Sequence, residues 1–281
     1  MLDGKTAQSI TETPAASSCF ICGVTTSNMN KLSDIKNRPI NEEAIKFGMS
    51  PLHAGIKFME CILHMAYNLS FKRWRIATNT HLIKDAQKAF VQKEFREKIG
   101  IKVDVVKQDT RSTNDGNTSR RFFANQALTS EITGISEKLI RRFAVILEVI
   151  TCTEIVDSTK FGKYAGETAE MYIAKYRCYN IPSTVHKVLV HGKQIIESCT
   201  FPVGSLSEEV QECRNKDYKR YRCLHSRKCN RIATNEDVLH MILLSSDPII
   251  TCLRPKPKKK IIPISEETKE MITLSNSEKI T

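Results

Sequence analysis

The sequence has no long run of apolar residues. Nowhere in its 281 residues does a stretch reach the roughly 18 uninterrupted apolar residues that a membrane-spanning helix needs. Its first residues, MLDGKTAQ, also lack the basic and then apolar pattern of a secretory signal peptide. We therefore expect neither a membrane protein nor a secreted one. In a reducing compartment, the ten cysteines favour metal binding or burial over a disulfide framework.

Extended patterns are scarce as well, and the sequence shows no internal repeat. Only residues 19–25 and 101–107 resemble strands. Apolar residues at helical spacing cover most of the rest, so the fold class we expect is mainly α. The predicted helices lie at 51–69, at 80–98 up to Gly100, from Ser136 through Ile150, from Phe161 to Tyr172, and at 184–197 after Pro182.

Cap and turn signals set the expected helix boundaries. Two pairs of residues indicate helix starts: Ser50 with Pro51, and Ser205 with Glu208. The second pair has the spacing of a capping box and precedes a long basic helix. Asp115–Gly116 is the strongest turn signal of the polar stretch 109–119. From Thr251 onward aromatics are absent and prolines frequent, so we expect a basic, mostly disordered tail.

Acidic residues are almost absent from two stretches, which together hold the formal charge of +12. Between residues 214 and 231, eight basic residues face only Asp217, a net +7, and the run RPKPKKK at 254–260 adds +5. A basic stripe on a helix is the electrostatic footprint of a phosphate-binding surface. The run at 254–260 reads as a nuclear address, a nucleic-acid-binding tail or merely a soluble terminus. The candidate DNA-binding residues are Arg214, Lys216, Lys219, Arg220, Arg222, Arg227 and Lys228.

Two short motifs offer metal ligands. Cys19 and Cys22 form C-F-I-C, and His186 and His191 form H-K-V-L-V-H. Two thiolates and two imidazoles complete a tetrahedral zinc shell. Positions i and i+5 of a regular helix are about 140° apart, so joint ligation by the histidines requires a helix end or a local distortion. Plain burial of these cysteines and histidines is the alternative, and the other eight cysteines show no paired spacing.

Carboxylates open the basic helix. Glu208, Glu209 and Glu212 precede its cationic turns. Acidic residues favour helix N-termini, and Glu212 can pair with Lys216 one turn on, which explains them without any chemistry. The functional alternative is a carboxylate that holds a catalytic Mg²⁺ beside a phosphate backbone. Two-metal phosphoryl transfer, however, needs several carboxylates around ions about 4 Å apart, and the spacing alone leaves both interpretations open.

The order of these motifs resembles one family. C-F-I-C is followed by PLHAGIKFMECILHMAY, NDGNTSRRFF, TVHKVLVHG and LSEEVQECRNKDYKRYR, between about residue 2 and residue 250. The series is similar to the catalytic core of Transib-type transposases and of their vertebrate relative, the recombination-activating protein one of antigen-receptor gene assembly. H-K-x-L-x-H followed by S-E-E-x-x-E-x-x-N-K is its most specific part.

The resemblance implies an RNase H-like core in which three acidic residues hold two divalent metals, Mg²⁺ or Mn²⁺. The family's second Asp lies on a strand just before the zinc cysteines, a place that Asp3 matches, and its catalytic Glu matches Glu212 through the following Asn215–Lys216. Glu208 and Glu209 are the fallback positions. The family's structural zinc ligands are matched by Cys19, Cys22, His186 and His191, and the residues between the two pairs belong to a helical insertion.

The resemblance also places the first catalytic Asp on a strand far upstream, yet only two residues precede Asp3. We therefore expect the C-terminal part of a DDE-type transposase whose leading strands are missing and which is catalytically incomplete alone: a truncated gene model, a decayed copy or a domesticated fragment. The expected domains are the end of a core strand with the cysteine pair (1–25), the helical insertion (26–180), the histidine pair with the catalytic, DNA-facing helix (181–250) and the tail (251–281).

Three functions stay open for this chain. The leading one is a zinc-containing transposase fragment with DNA as its partner and the nucleus as its location; a homodimer is left open, and no small-molecule substrate is expected. The second is a domesticated DNA-binding or chromatin-associated module without catalysis. The third is a helical scaffold in which zinc is purely structural and the basic stripe binds a protein.

Overall fold

Helices dominate the computed structural model of this protein, which describes residues 4–13, 15, 17–71, 81–106, 112–253 and 263–273. The chain divides into two units, Met1–Ser207 with Ile264–Thr281 and Glu208–Pro263. The mainly α fold class is confirmed, since β-structure in the described ranges amounts to two strands of two residues each. No helix in those ranges combines the length and apolarity that a bilayer span requires. The RNase H-like core and the expected domain boundaries stay predictions.

The described part of the first unit contains eleven helices and a two-stranded sheet. β1 (Ile155–Val156) pairs antiparallel with β2 (Ile272–Thr273), with Ile155 opposite Thr273. A π-helical turn at Phe95–Ile99 extends α5, and 3-10 turns lie at Thr26–Asn28, Leu69–Phe71 and Val203–Leu206. The helices are α1 (Gly4–Ile10), α2 (Leu32–Lys36), α3 (Glu42–Ile45), α4 (Pro51–Asn68), α5 (His81–Glu94), α6 (Gly116–Ala124), α7 (Gln126–Thr133), α8 (Glu137–Thr151), α9 (Ser158–Tyr176), α10 (Ser183–Ser198) and α14 (Glu266–Met271).

The core of the first unit lies between α4, α8, α9 and α10. Phe58 of α4 meets Phe143 of α8 edge to face, with ring centroids 4.7 Å apart, and Tyr172 of α9 stacks on Phe143 at 6.4 Å. All three rings are fully buried. Such aromatic pairs add about 0.5–1.5 kcal/mol beyond the area they bury. The apolar stripe predicted for α8 is confirmed, because all its members are buried: Leu139, Ile140, Phe143, Ile146, Leu147 and Ile150.

Several cap signals are confirmed. The Ser50 side chain accepts the N–H of His53 at the start of α4, and Pro51 occupies the first turn. The helix that begins at His81 ends at Gly100, whose φ of 70° is the left-handed conformation that glycine adopts without strain. Ser136 takes the N-cap position of α8, although its side chain makes no capping hydrogen bond there.

The two predicted strands are absent. Residues 19–25 form a turn, and residues 101–106 are irregular. Scattered groups rather than a neighbouring strand bond the backbone of the second stretch: Gln92 donates to the Val103 carbonyl (2.9 Å), the Thr113 hydroxyl accepts the N–H of Val105 (3.1 Å), and the Thr113 N–H donates to the Val105 carbonyl (2.9 Å). A strand needs a partner to satisfy its backbone groups, and here local donors and acceptors take that place.

Two boundary predictions are wrong as well. Asp115 does not turn the chain; its carboxylate accepts the N–H of Thr118 and caps α6, which begins at Gly116. Ser205 does not cap the basic helix, since it lies in the turn Val203–Leu206, and Glu208 takes the N-cap position. Turns and N-caps draw on the same small polar residues, so local sequence alone does not separate them.

The described part of the expected tail is folded. Residues 263–273 contain α14 and β2, and Thr268, Met271 and Ile272 are buried. The prediction of disorder is therefore wrong for this segment. Composition misled it, because bonds to the distant Glu148 carboxylate and a few buried apolar side chains order this segment on an existing core. The basic run at 254–260 lies outside the described residues.

The described part of the second unit consists of α11 (Glu209–Leu224), α12 (Arg231–Ser246) and α13 (Pro248–Leu253). α11 and α12 pack against each other with Tyr221 and Val238 buried. Polar bonds supplement this small core. Arg214 donates to the Ser245 hydroxyl (3.0 Å), and Arg227 forms an ion pair with Asp237 (2.9 Å).

Candidate metal centre and basic helix

Cys19 and Cys22 lie on one tight turn. The N–H of Cys19 donates to the Val24 carbonyl (2.9 Å), and the N–H of Gly23 donates to the Cys19 carbonyl (2.8 Å). Gly23 has a φ of 66°, the left-handed conformation that allows the chain to reverse directly after the second thiol. Both cysteines are buried. The turn thus presents two neighbouring thiols, which is how a C-x2-C motif forms half of a metal site.

His186 and His191 both lie on α10, which is continuous from Ser183 to Ser198. His186 sits in its first turn, where its N–H donates to the Pro182 carbonyl (2.8 Å). This placement agrees with the helix end that joint ligation requires. The two imidazole centroids are 5.2 Å apart in an edge-to-face arrangement, and both rings are buried.

The four side chains converge on one point. A potential ligand atom of each lies within 4.8 Å of the others, and Cys22 Sγ is 3.4 Å from His186 Nε2. Nδ1 of His186 and both ring nitrogens of His191 are buried without a hydrogen-bond partner in the described chain. Buried polar atoms nearly always have partners, so these nitrogens indicate a bound group. The set is close enough to bind a metal ion, and its two thiols and two imidazoles are compatible with zinc.

The two thiols share the charge of the site unequally. The pKa of Cys19 is lowered, mainly because the Cys22 thiol donates a hydrogen bond to it and further because both histidines lie beside it. The pKa of Cys22 is raised, because it is the donor in that bond and is itself buried. The pKa values of the two thiols are therefore shifted in opposite directions. A divalent cation would favour the thiolate of both, which is the form that ligates metals.

Packing around α10 holds the histidines in place. Gly192 follows His191 directly, and a Cβ at that position would lie 2.7 Å from Phe161 Cε1 on α9. The two helices therefore approach closely only because residue 192 is glycine. On the cysteine side, Asn30 donates to the carbonyl of Tyr179 (3.0 Å) and accepts the N–H of Ile181 (3.0 Å). This side chain ties the segment after the cysteine turn to the loop that leads into α10.

The seven candidate DNA-binding residues fall into two groups. Four of them bond within the second unit: Arg214 to Ser245, Arg227 to Asp237, Arg222 to the Tyr218 hydroxyl, and Lys228 to the carbonyl of Arg222. The other three are exposed and make no hydrogen bond or ion pair with the described residues: Lys216, Lys219 and Arg220.

These three basic residues share one face of α11 with Glu212. At 3.6 residues per turn, they lie within about 80° of Glu212 around the helix axis. Arg214 and Tyr221, which contact α12 or are buried, lie on the opposite face. Glu212 is exposed. The outward face of α11 therefore carries one carboxylate followed by three cationic side chains.

The expected two-metal acidic site is not assembled by the described residues. Asp3 lies outside them, and the chain just after it, Gly4–Ile10, is helix α1 where a core strand was expected. In the described ranges, the cysteine–histidine set is the one group of three or more metal-ligating side chains. Glu212 therefore belongs to no group of three or more potential metal ligands within the described residues.

Sequence reasoning named the four candidate ligands, which the structure brings together, and missed the residues that support them. A glycine directly after the second cysteine was a readable signal for the turn at Gly23. Asn30 and Gly192 carried no such signal, because their partners lie far away in the chain. A comparison of the chain with protein-family models finds no match, and neither does a comparison with curated proteins.

Proposed function

We propose that this chain is a zinc-stabilised, transposase-derived DNA-binding protein. The observation that carries the zinc assignment is the convergence of Cys19, Cys22, His186 and His191, with three buried imidazole nitrogens left unpartnered by the described chain. Four protein ligands complete a tetrahedral shell and leave no position for substrate, so the metal is structural. When bound, zinc joins the N-terminal turn to α10 and supplies no reaction step.

DNA binding is the proposed role of the outward face of α11. Lys216, Lys219 and Arg220 are exposed and uncommitted within the described chain, whereas Arg214 and Arg227 stabilise the second unit. A row of free cationic groups neutralises phosphates and releases counterions, which supplies affinity without sequence readout. The family resemblance supports the same helix, because Glu212 matches the catalytic Glu there. The nucleus is the proposed location.

DNA cleavage is not part of the proposal for this chain alone. The intact family cleaves DNA with two divalent metals held by three carboxylates, and the described residues do not assemble such a set. We expect no nicking of supercoiled plasmid by the purified chain in Mg²⁺ or Mn²⁺. Metal-dependent nicking that disappears in Glu212→Gln would contradict this and restore the enzyme.

The zinc proposal is tested by elemental analysis of purified protein. We expect one zinc per chain, and its loss in the double variant Cys19→Ser plus Cys22→Ser. The matched control is Cys178→Ser plus Cys252→Ser, which removes two exposed thiols outside the cluster and should keep the metal. Wild-type protein without zinc, after growth in zinc-supplemented medium, would refute the four-ligand assignment.

The DNA proposal is tested by the salt dependence of duplex binding. In the triple variant Lys216→Ala, Lys219→Ala, Arg220→Ala, we expect the slope of log K against log salt to fall by about 0.9 for each phosphate that is no longer neutralised. The control removes the same charge from exposed positions of the first unit, Lys36, Arg96 and Lys102. Equal slopes in both variants would exclude this face. Binding insensitive to salt would favour a protein-interaction scaffold.

A further inference from the structure

One carboxylate joins the segment Ile264–Thr273 of the first unit to α8. Glu148 of α8 accepts hydrogen bonds from the hydroxyl of Ser265 (2.5 Å) and the hydroxyl of Thr268 (2.6 Å). The backbone N–H of Ser265 donates to both oxygens of the same carboxylate, at 3.2 and 3.3 Å. Bonds to an ionised acceptor are about twice as strong as neutral ones. Glu148 thus joins three donors of the segment at a single point.

Beyond this point, single contacts hold the segment. Its strand β2 contributes two residues to the sheet, the Asp157 N–H donates to the Met271 carbonyl (2.8 Å), and the Lys160 side chain donates to the Glu270 carbonyl (3.1 Å). Arg141 forms an ion pair with Glu267 at 2.6 Å, with the arginine side chain largely exposed. Met271 and Ile272 are its buried large apolar side chains. The polar bonds to Glu148 are therefore a large share of what holds it.

The chain leaves the first unit close to where this segment attaches. The turn Val203–Leu206 packs on the end of α8, and a Cβ on Gly204 would lie 2.3 Å from the Thr151 carbonyl oxygen. The segment Ile264–Thr273 contacts the same helix through Glu148, one turn earlier. Both the turn Val203–Leu206 and the segment Ile264–Thr273 therefore contact the C-terminal part of α8.

We propose that Ile264–Thr273 is a releasable clasp, with Glu148, Ser265 and Thr268 as its latch. Closed, the clasp holds residues 264–273 on α8. Open, it leaves this segment detached from the core of the first unit. A negative charge at residue 265 opens it, because that charge would face the carboxylate of Glu148 at hydrogen-bond distance. The inference does not depend on zinc or on DNA binding.

Hydrogen–deuterium exchange of the full-length chain tests the clasp. In Glu148→Gln we expect amide exchange in residues 264–273 to rise about tenfold or more, and further in Ser265→Glu, while α4 keeps its wild-type protection. Ser265→Ala should fall between wild type and Ser265→Glu. The matched control, Glu137→Gln, changes an exposed glutamate at the start of the same helix and should alter nothing.

Two outcomes would overturn the clasp. If Glu148→Gln and Ser265→Glu both leave exchange in 264–273 at the wild-type rate, the latch does not hold the segment. If α4 loses protection in parallel with 264–273, Glu148 supports the whole first unit rather than a separable clasp. Tryptic cleavage after Lys269, measured under native conditions, provides an independent readout and should rise in the same order of variants.

Discussion

The two units of this chain are stabilised in different ways. The first has a dense core, in which large side chains such as Phe58, Phe143 and Tyr172 are fully buried, together with a candidate metal centre. The second buries little: Tyr221 and Val238 are inside, while Leu224 and Ile232 are 73% and 72% exposed. A hydrogen bond from Arg214 and an ion pair of Arg227 supplement its small core. The first unit is therefore stabilised mainly by apolar packing, whereas the described part of the second depends on polar bonds of charged side chains.

Removal of one histidine should produce the largest effect on stability. A small effect would contradict the difference in stabilisation between the two units. In His191→Gln we expect loss of the metal and a fall in melting temperature of about 10 °C or more, from several kcal/mol at about 2–4 °C per kcal/mol. Calorimetry with and without a chelator measures it. The control His225→Gln changes an exposed histidine of the second unit. Chelation that leaves wild-type melting unchanged would contradict a structural metal.

Truncation of a buried aromatic ring in the first unit should give the second-largest loss of stability, whereas truncation of an apolar side chain in the second unit should have little effect. Phe143→Ala removes a fully buried ring that contacts Phe58 and Tyr172, and we expect a loss of about 3–5 kcal/mol in unfolding free energy. Leu243→Ala in the second unit, at a side chain 58% exposed, should change it by less than about 0.5 kcal/mol. Chemical denaturation measures both. A large effect at Leu243 would show that its apolar face is covered in solution.

Two glycines of the first unit offer a finer test of how tightly α9 and α10 pack. Gly192→Ala places a Cβ against Phe161, and we expect a loss of about 1–3 kcal/mol with weaker metal retention. Gly166→Ala on α9 meets no atom within 4 Å and should be neutral or stabilising by up to about 1 kcal/mol. Thermal melts and metal titration measure the pair. Equal effects at both positions would mean that the close approach at Gly192 is not needed.

The smallest expected effect is a loss of stability in the second unit at acidic pH. The pKa of Asp237 is lowered, first because the Arg227 side chain donates hydrogen bonds to it and then because the Arg227 N–H does. A lowered pKa means that this contribution is present at neutral pH and is lost as the pH falls below the ordinary value of 3.8 through the lowered one. The protection factors of amides in residues 225–237, corrected for the intrinsic pH dependence of exchange, should fall there. In Asp237→Asn these protection factors should no longer depend on pH in this range, and persistent dependence would implicate another group.

Local chemistry made part of this fold predictable. The stripe of α8, the cap at Ser50 and the stop at Gly100 depend on residues within a few positions of one another, and all three are confirmed. The failures at Asp115 and Ser205 have the opposite cause. Each is a small polar residue that turns and helix caps use alike, and distant packing decides between the two.

The candidate metal site was also predictable from the sequence, but only as two separate pairs of residues, the cysteines and the histidines. Thiols and imidazoles are typical zinc ligands, so their chemistry was evident from the sequence. The spacing of the histidines correctly indicated that joint ligation requires a helix end. That the halves meet depends on contacts far apart in the chain, such as Asn30 with the loop before α10 and Gly192 with Phe161. The candidate catalytic carboxylate differs from the candidate metal ligands. Glu212 was named by resemblance, and the described residues do not surround it with partners.

By itself, the sequence determined the helical content, the charge of α11 and the identity of the candidate metal ligands, because periodicity, formal charge and ligand chemistry are local properties of the chain. Tertiary structure alone decided which cationic side chains remain free within the described chain, since Arg214 and Arg227 are engaged by residues of α12. It also decided that residues 264–273 fold back onto α8. That outcome depends on a carboxylate at Glu148, more than a hundred residues away, and no local pattern encodes such an interaction.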